Sequence, residues 1–564
     1  MSTWIAKDNN RTATDIEIRG KKIPHTIVHI LQNRGYDTPR LIEKFFAPSL
    51  SDLHDPFLMN DMEKAVDRII MAMNNKEKIL IHGDYDTDGI TGAALLISNL
   101  KKLGLDVSYY IPNRLEEGYG LSASGISRAI EEKCSLIITV DCGSSAITEV
   151  ESASENHIDV IVCDHHRPKE SLPNAFAMIN PKRTDSNYPF KELAGVGVAF
   201  KLVQALHEKL RQPKEEAYED LDLVALGSVV DIVPLIDENR IVVKYGISKI
   251  PKSQRVGFKA LLEETGLCHG VTSYHLGFVI GPRINACGRL RDAKSALELL
   301  LTQDMSRARV LAHSLSLDNE ARKGIEDTIY REAEAIIKTS AADQARVIIL
   351  AKEGWHEGVL GIVASRVSAD HFRPAIALSL KDDVVKGSAR SIPDFDITEA
   401  ISNCQHLLSK YGGHAQAAGL ELNRKDLDAF RACMNEYAQG VESKTFVRKT
   451  LYDMELAWSQ ITSELVYFLK YFEPTGTANP QPVFLGKDCE VVGIPRVVGS
   501  NHLKLSLRQH NKALPALAYG RADEILNIEV GKTRVNCLYS IAEDSFLGKR
   551  KTILKIREME INRP

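Results

Sequence analysis

The sequence predicts an α/β protein of several parts: a parallel-sheet domain, a long connecting helix, a second α/β unit and a small C-terminal β-barrel. Three observations carry that reading. The chain has 564 residues, too many for one hydrophobic core. Short β-branched runs alternate with helical patterns between Lys78 and Pro181. From about Phe446 the pattern changes to short segments of alternating polarity.

Taken in order, Ile79-Leu80-Ile81-His82 reads as a buried strand, followed by a Gly- and Asp-rich loop and a helix through Ala93-Ala94-Leu95-Leu96. Val107 to Ile111, Leu136 to Val140 and Ile158 to Val162 are further strands, the last two each preceded by a helical stretch. Apolar strands separated by helices mean a parallel sheet covered on both faces. A mostly helical region runs from Asp231 to about Thr302. From Asp304 to Thr339 there is no proline and one glycine, Gly324, so the spacing predicts either one continuous strut of roughly 50 Å or two helices broken at that glycine. The second α/β unit places strands at Val347 to Leu350 and Ile376 to Leu378, with a helix between them from about Val359 to Ala369. Val384-Val385 leads into Gly387-Ser388-Ala389-Arg390, and another helix is expected from Ile397 to Lys410. Val491 to Ile494, Leu503 to Leu507 and Thr552 to Ile556 are the barrel strands.

Composition narrows the class. Apolar residues at 44% and charged residues at 26% exclude a disordered or fibrous chain. Met1 to Asn10 lacks the apolar core of a signal peptide, and no run approaches the ~18 apolar residues of a membrane span, so a cytoplasmic protein is expected. Nine scattered cysteines without a C-x-x-C pair point to free buried thiols rather than a disulfide framework or thiolate zinc. A net charge of −4 argues against a histone-like DNA coat but leaves open an enzyme gripping a few nucleotides in a local groove.

The residues that carry chemistry stand where strands end. His82-Gly83-Asp84-Tyr85-Asp86-Thr87-Asp88-Gly89 follows the first strand, Asp141-Cys142-Gly143 another and Asp164-His165-His166 a third; Asp231 ends an apolar helical run. Ligands of parallel α/β sheets bind at the carboxyl ends of strands. One crevice therefore receives these carboxylates and up to three imidazoles. Such carboxylates repel one another, and burial raises their pKa unless a cation compensates. An Asp/His donor set without thiolate suits two Mn²⁺ or Mg²⁺ ions, with the imidazoles favouring Mn²⁺, and such a pair hydrolyses phosphodiesters. A calcium loop is the competing reading of the Asp-rich segment, but the acidic residue expected about twelve positions on is missing.

These motifs resemble the DHH phosphoesterase superfamily and, within it, the RecJ family of single-strand-specific exonucleases. The likeness extends over Leu226 to Leu235, Gly281-Pro282-Arg283-Ile284-Asn285-Ala286, Trp355 to Ala364, and Gly412-Gly413-His414 to Gly419. It implies that Asp86, Asp88, Asp141, His165 and Asp231 hold the ions, with Asp141 bridging, and that His82 and Asp84 stand at or beside ligand positions. It gives Asp141, His165 and His166 catalytic roles, His166 as an orienting or substrate-facing residue. Arg114, Ser388 and Arg390 are implied as a 5′-phosphate pocket, Tyr119 as a base-stacking or wedging residue, and Arg283, Asn285, Arg289, Gly413 and His414 as substrate contacts. Each of these also has a purely structural alternative: a salt bridge for Arg114, loop packing for Tyr119, fold stabilisation for Arg283, Asn285 and Arg289, a tight turn for Gly413.

The resemblance further implies a domain plan: an N-terminal segment 1–45, a DHH catalytic domain 46–303, a connecting helix 304–342, a DHH-associated substrate-binding domain 343–445 and an OB-fold domain 446–564. The loop 472–482 departs from the family's usual pattern around its glycines. The expected activity is 5′-to-3′ digestion of single-stranded DNA with a 5′ phosphate, releasing 5′ mononucleotides in DNA repair and recombination. The protein is expected to act as a monomer alongside a helicase and a single-strand-binding protein, through a passage one strand wide. Two alternatives stand beside this. A DHH-family oligonucleotide or cyclic-dinucleotide phosphodiesterase usually lacks the strut and barrel. A catalytically inactive replication scaffold has lost ligands that are all present here.

Overall fold

The computed structural model describes residues 2–7, 15–18, 20–114, 116–267, 270–340, 342, 344–499, 501–546 and 549–562, without the side chains of 545–546 and 549–550. The chain forms two compact units, one of residues 54–233 and 237–448, the other of 2–53, 234–236 and 449–564. Among the described residues no helix is long and apolar enough to cross a membrane.

In the first unit, five parallel strands lie in the order Asp106–Tyr110, Lys78–Gly83, Leu136–Val140, Asp159–Cys163, Ala177–Ile179. All five residues of Leu-Ile-Ile-Thr-Val are buried, which explains the unbroken apolar run. The chain leaves Lys78–Gly83 to one side and returns on its other side as Leu136–Val140. That reversal opens a crevice at the carboxyl ends of those two strands. Asp84 follows one and Asp141 the other. Helix Thr87–Lys102 starts directly from the Asp-rich loop, capped by Asp86, whose carboxylate accepts the amides of Asp88 (2.9 Å) and Gly89 (3.2 Å).

The strut is one continuous helix, Met305–Thr339, capped by Asp304 through the Ser306 amide at 2.8 Å. Gly324 does not break it. A Cβ there would meet nothing within 4 Å, so the position is open and its helical cost is borne by the turns on either side. The carboxyl half of the strut packs Ile329, Ala333 and Ile337 against Ile348, Leu350, Trp355 and Val359 of the second α/β part. There, strands run in the order Leu408–His414, Ala417–Asn423, Val384–Arg390, Ala375–Lys381, Ile348–Glu353; only the last pair is parallel.

Two sequence expectations are corrected here. The helix expected over Ile397 to Lys410 ends at Asn403, and Leu408–His414 is a strand paired to Ala417–Asn423. Gly412 and Gly413 are poor helix formers, and the antiparallel ladder satisfies the backbone they leave over. The cysteines are not all free either. Cys404 and Cys433 form a disulfide joining helix Ile397–Asn403 to helix Leu427–Gln439, while six others are free and buried; Cys268 lies outside the described residues.

The second unit is built on a seven-stranded sheet. Its core also takes in Ile16, Ile23, Ile27, Leu31, Ile42 and Phe45 of the N-terminal segment, which packs on Trp458, Phe472 and Tyr539. The divergent loop 472–482 is tied down by Asn479, whose Nδ2 donates to the carbonyls of Phe472 and Pro474 (both 2.8 Å) while its Oδ1 accepts from Arg34 at 2.8 Å.

Candidate metal centre

The Asp-rich loop, the turn after Leu136–Val140 and the turn after Asp159–Cys163 converge. Three overlapping groups of donor atoms each lie within 4.8 Å of one another: Asp84 with Asp86 and Asp141; Asp88 with His165 and Asp231; Asp141 with His165 and His166. Asp141 takes a left-handed backbone, φ 63°, which turns its carboxylate back into the crevice. Gly195 makes room for it, since a Cβ at that position would lie 2.6 Å from the Cβ of Asp141. Gly195 opens helix Gly195–Lys209. Its amide and that of Val196 donate to the two oxygens of Asp88, at 2.6 and 2.8 Å, so a helix N-terminus orients this carboxylate. Asp231 stands at the end of helix Leu221–Val230.

Electrostatically the cluster is uncompensated. Burial, then the charges of Asp88, Asp86 and Asp231, hold the Asp141 carboxyl well above its ordinary range. Burial and Asp86 push Asp88 up to about 7, and burial with Asp88 raises Asp231 well above its usual value. Asp84 is raised in the same way, by burial and then by Asp86. His165 goes in the opposite direction, lowered to about 3 by burial and by His166. Its Nε2 approaches Asp141 Oδ1 at 3.1 Å, Asp231 Oδ2 at 3.6 Å and Asp88 Oδ2 at 3.8 Å. Yet among the described residues Asp84 Oδ1, Asp141 Oδ1 and both His165 ring nitrogens have no hydrogen-bond partner. Buried acceptors aimed at one space without donors are the signature of a cation site. Oxygen donors with a neutral imidazole fit a divalent ion of the Mn²⁺ or Mg²⁺ kind.

Asp164, the first residue of the triplet, has a different part. Burial alone would raise its carboxyl, but His166 and backbone amides outweigh that and hold it well below the usual range. Its Oδ1 accepts from the amides of His165 (2.7 Å) and His166 (3.0 Å) and lies 2.9 Å from His166 Nδ1; its Oδ2 accepts from Ser144. It orients the His166 imidazole directly, as carboxylates behind metal-site histidines do, and holds His165 through its backbone amide. His166 is raised above its ordinary value, burial being outweighed by Asp164. The Tyr119 hydroxyl lies 2.8 Å from His166 Nδ1 and donates to the Asp141 carbonyl at 2.9 Å, which packs Tyr119 against the cluster.

His82 is not brought into any of the three groups. It is fully buried, with Tyr110 at 5.5 Å between ring centroids; its Nε2 accepts the Ser122 amide at 3.4 Å and its Nδ1 faces Cys142 Sγ. Gly125 presses on the ring from the helix that follows, where a Cβ would sit 2.5 Å from His82 Cδ2. Burial lowers its pKa to about 4, as suits a neutral core histidine.

The basic residues form a second cluster. Arg289 is pushed down to about 10 by burial and by Arg114, Arg322 and Arg390; Arg390 is lowered by burial and Arg114. The Arg114 guanidinium lies 5.0 Å over the ring of Tyr85, between Asp84 and Asp86. Gly361 leaves space beside Arg390, since a Cβ would lie 2.8 Å from Nη2. Ser388 is in the same strand as Arg390, Val384–Arg390. Gly413 and His414 are exposed on the neighbouring hairpin, and Gly413 (φ 153°) sits where a Cβ would strike the Ala417 carbonyl at 2.3 Å. Arg283 and Asn285 turn inward. Arg283 holds Ser316 of the strut and the Val279 carbonyl; Asn285 Oδ1 accepts both the amide and the hydroxyl of Thr87 at 2.8 Å. The Gly195 and Val196 amides that hold Asp88 had no mark in the sequence, whereas Asn285, at its contact with Thr87, takes the fold-stabilising alternative named for it.

Comparison with known proteins places these clusters in context. Residues 78–228 match the DHH family N-terminal domain, 344–440 the DHHA1 domain and 452–558 the RecJ OB domain. The chain is 35% identical over 542 residues to the single-stranded-DNA-specific exonuclease RecJ of Bacillus subtilis, covering 95% of this chain and 68% of that one. It is 36% identical over 552 residues to RecJ of Escherichia coli, covering 94% of each. The crystal structure of Thermus thermophilus RecJ with Mn²⁺ superimposes with a TM-score of 0.84 at 28% identity, over 100% of this chain and 80% of that one, and its Mg²⁺ complex with 0.77.

Proposed function

The chain belongs to the RecJ family of single-stranded-DNA-specific exonucleases, and on that premise we propose that it digests single-stranded DNA from the 5′ end, releasing 5′ mononucleotides with a pair of divalent ions. It is a metal-dependent exonuclease. The observation that carries the two-ion reading is the sharing of Asp141 and His165 among overlapping donor groups, which leaves Asp84, Asp86 and Asp141 for one ion and Asp88, His165 and Asp231 for the other.

Bound there, such ions supply Lewis-acid stabilisation of the leaving oxygen and a water of lowered pKa. The chain's own residues do the rest. Asp88 is fixed by two backbone amides, and Asp164 fixes the His166 imidazole and the backbone at His165, so these donors are held in place before substrate arrives. His166 and Tyr119 are placed together to touch the substrate beside Asp141. Arg114, Arg289 and Arg390 form a basic cluster suited to a terminal phosphate, which a guanidinium fork grips bidentately. A terminal phosphate held there sets the first internucleotide linkage at the carboxylates, and the product is then a mononucleotide. A helicase that separates strands and a protein that coats them fit such an enzyme as partners.

One gel tests the reading. Single strands labelled at the 5′ or the 3′ end are incubated with Mn²⁺. Mononucleotide release from the 5′ label, with gradual shortening of the 3′-labelled strand, is the expected result; shortening from the 3′ end or cleavage inside the strand overturns it.

A further inference from the structure

Tyr274 and Phe278 are 62% and 70% exposed, although Leu276 and Ile280 between and after them are fully buried. Their rings stack on each other, 5.0 Å between centroids and 26° between planes. Two large aromatic side chains held face to face in water are rare on a surface that has no ligand for them. Tyr274 lies in Ser273–His275 and Phe278 in the π-helical segment Leu276–Ile280 that leads into helix Gly281–Leu290, a deviation that is frequent at functional sites.

The position of the pair is fixed by its neighbours. Gly281 packs so closely on the helix bearing Asp231 that a Cβ would lie 2.3 Å from Val230 Cγ2, and a Cβ on Gly277 would be 3.7 Å from Val229 Cγ1. Four residues after Gly281, Asn285 clamps Thr87 between the metal-site carboxylates Asp86 and Asp88. At the carboxyl end of the same helix stands Arg289 of the basic cluster. One helical element thus passes the aromatic pair, the metal loop and the phosphate pocket in that order. Phe278 and Arg289 are separated by roughly 16 Å at 1.5 Å per residue.

The geometry points to Tyr274 and Phe278 as a stacking platform for bases of the single-stranded substrate on the 3′ side of the scissile linkage. The inference rests on the 5′-end reading above: a strand whose terminal phosphate lies among the arginines and whose first linkage lies at the carboxylates continues toward the other end of the element. Aromatic platforms hold bases without sequence preference, because every base offers a π-face.

The test uses the full chain in EDTA, so that strands bind without being cut, with 5′-phosphorylated oligonucleotides carrying 2-aminopurine at successive positions from the 5′ end. Wild-type protein is expected to quench the probe at one or two positions beyond the first linkage. The variant Tyr274→Leu with Phe278→Leu, apolar but unable to stack, is expected to lose that quenching and to bind about tenfold more weakly, whereas Trp at both positions retains both. A leucine variant that keeps the quenching and the affinity overturns the platform. So does equal loss in the leucine and tryptophan variants, which marks a structural role. Wild-type protein that neither binds nor digests single strands refutes the underlying reading instead, before any variant is compared.

Discussion

Two buried clusters of like charge lie in one compact unit, and they differ in how they are kept. The acidic cluster is gathered from strand ends and a helix end, and several of its members are fastened: Asp88 by two amides, Asp86 as a helix cap, His166 by Asp164 through its ring and His165 through its backbone amide. The basic cluster is held loosely by carbonyls, Arg289 by Gly358 at 3.1 Å and Arg390 by Ala389 at 2.8 Å, with no carboxylate partner for either among the described residues. Both are costly in isolation, since burial disfavours the charged form in each. The lesson is about ligand size. Point cations demand donors fixed to fractions of an ångström, whereas a phosphate that arrives and leaves with every turnover needs long side chains with room to close on it.

The comparison can be broken most severely at Asp141. Asp141→Ala should lower digestion of single strands by more than about 10³-fold while leaving the circular dichroism unchanged; near-normal digestion removes it from the centre. Arg390→Ala touches the other cluster. Its effect should fall on end chemistry, shrinking the preference for 5′-phosphate over 5′-hydroxyl strands by about 10- to 100-fold, and an unchanged ratio in competition assays means that the phosphate binds elsewhere. Asp164→Asn, which keeps the shape but not the charge behind the imidazoles, should weaken Mn²⁺ binding by about 10- to 100-fold in calorimetry. Normal affinity would show that the backbone alone positions His165.

The mildest effect concerns pH. Asp88 is pushed up to about 7 in the folded, metal-free protein, far above an unfolded aspartate. A raised folded pKa favours the folded state while the group is protonated, so this contribution is fully present below about pH 4 and is lost as pH rises through about 7. Asp141 and Asp231 are displaced in the same direction. The metal-free protein should therefore lose thermal stability between those limits, and Mn²⁺ should raise Tm more at about pH 7.5 than at about pH 5. Equal increments at both pH values would mean that the carboxylates are not what the ion neutralises.

Much of this was legible from residue order. The sheet, the strut and the convergence of the Asp-rich loop with Asp141 and the triplet follow from apolar runs ending in carboxylates, because the carboxyl edge of a parallel sheet gathers whatever follows its strands. His82 defeats the same logic. It also sits near a strand end, but its side chain faces the flank covered by the helix at Gly125, and a period of two cannot say which flank a helix will occupy. The segment Ile397 to Lys410 misled for a related reason, since a ladder partner at Ala417–Asn423 overrides local helical spacing. Nor does spacing reveal that Ile27 and Phe45 join the core of the C-terminal sheet, or that Cys404 meets Cys433. Such long-range pairings leave no periodic trace.

Asn285 and Arg289 lie on one helical turn, the first gripping the loop of the carboxylates and the second standing in the arginine cluster. Under the proposed 5′-phosphate assignment, the increment of digestion is set by covalent geometry, like the pitch of a screw. An added residue between them would swing Arg289 through about 100° and advance it by about 1.5 Å, so under that assignment the length of the released fragment changes with the register of this single turn.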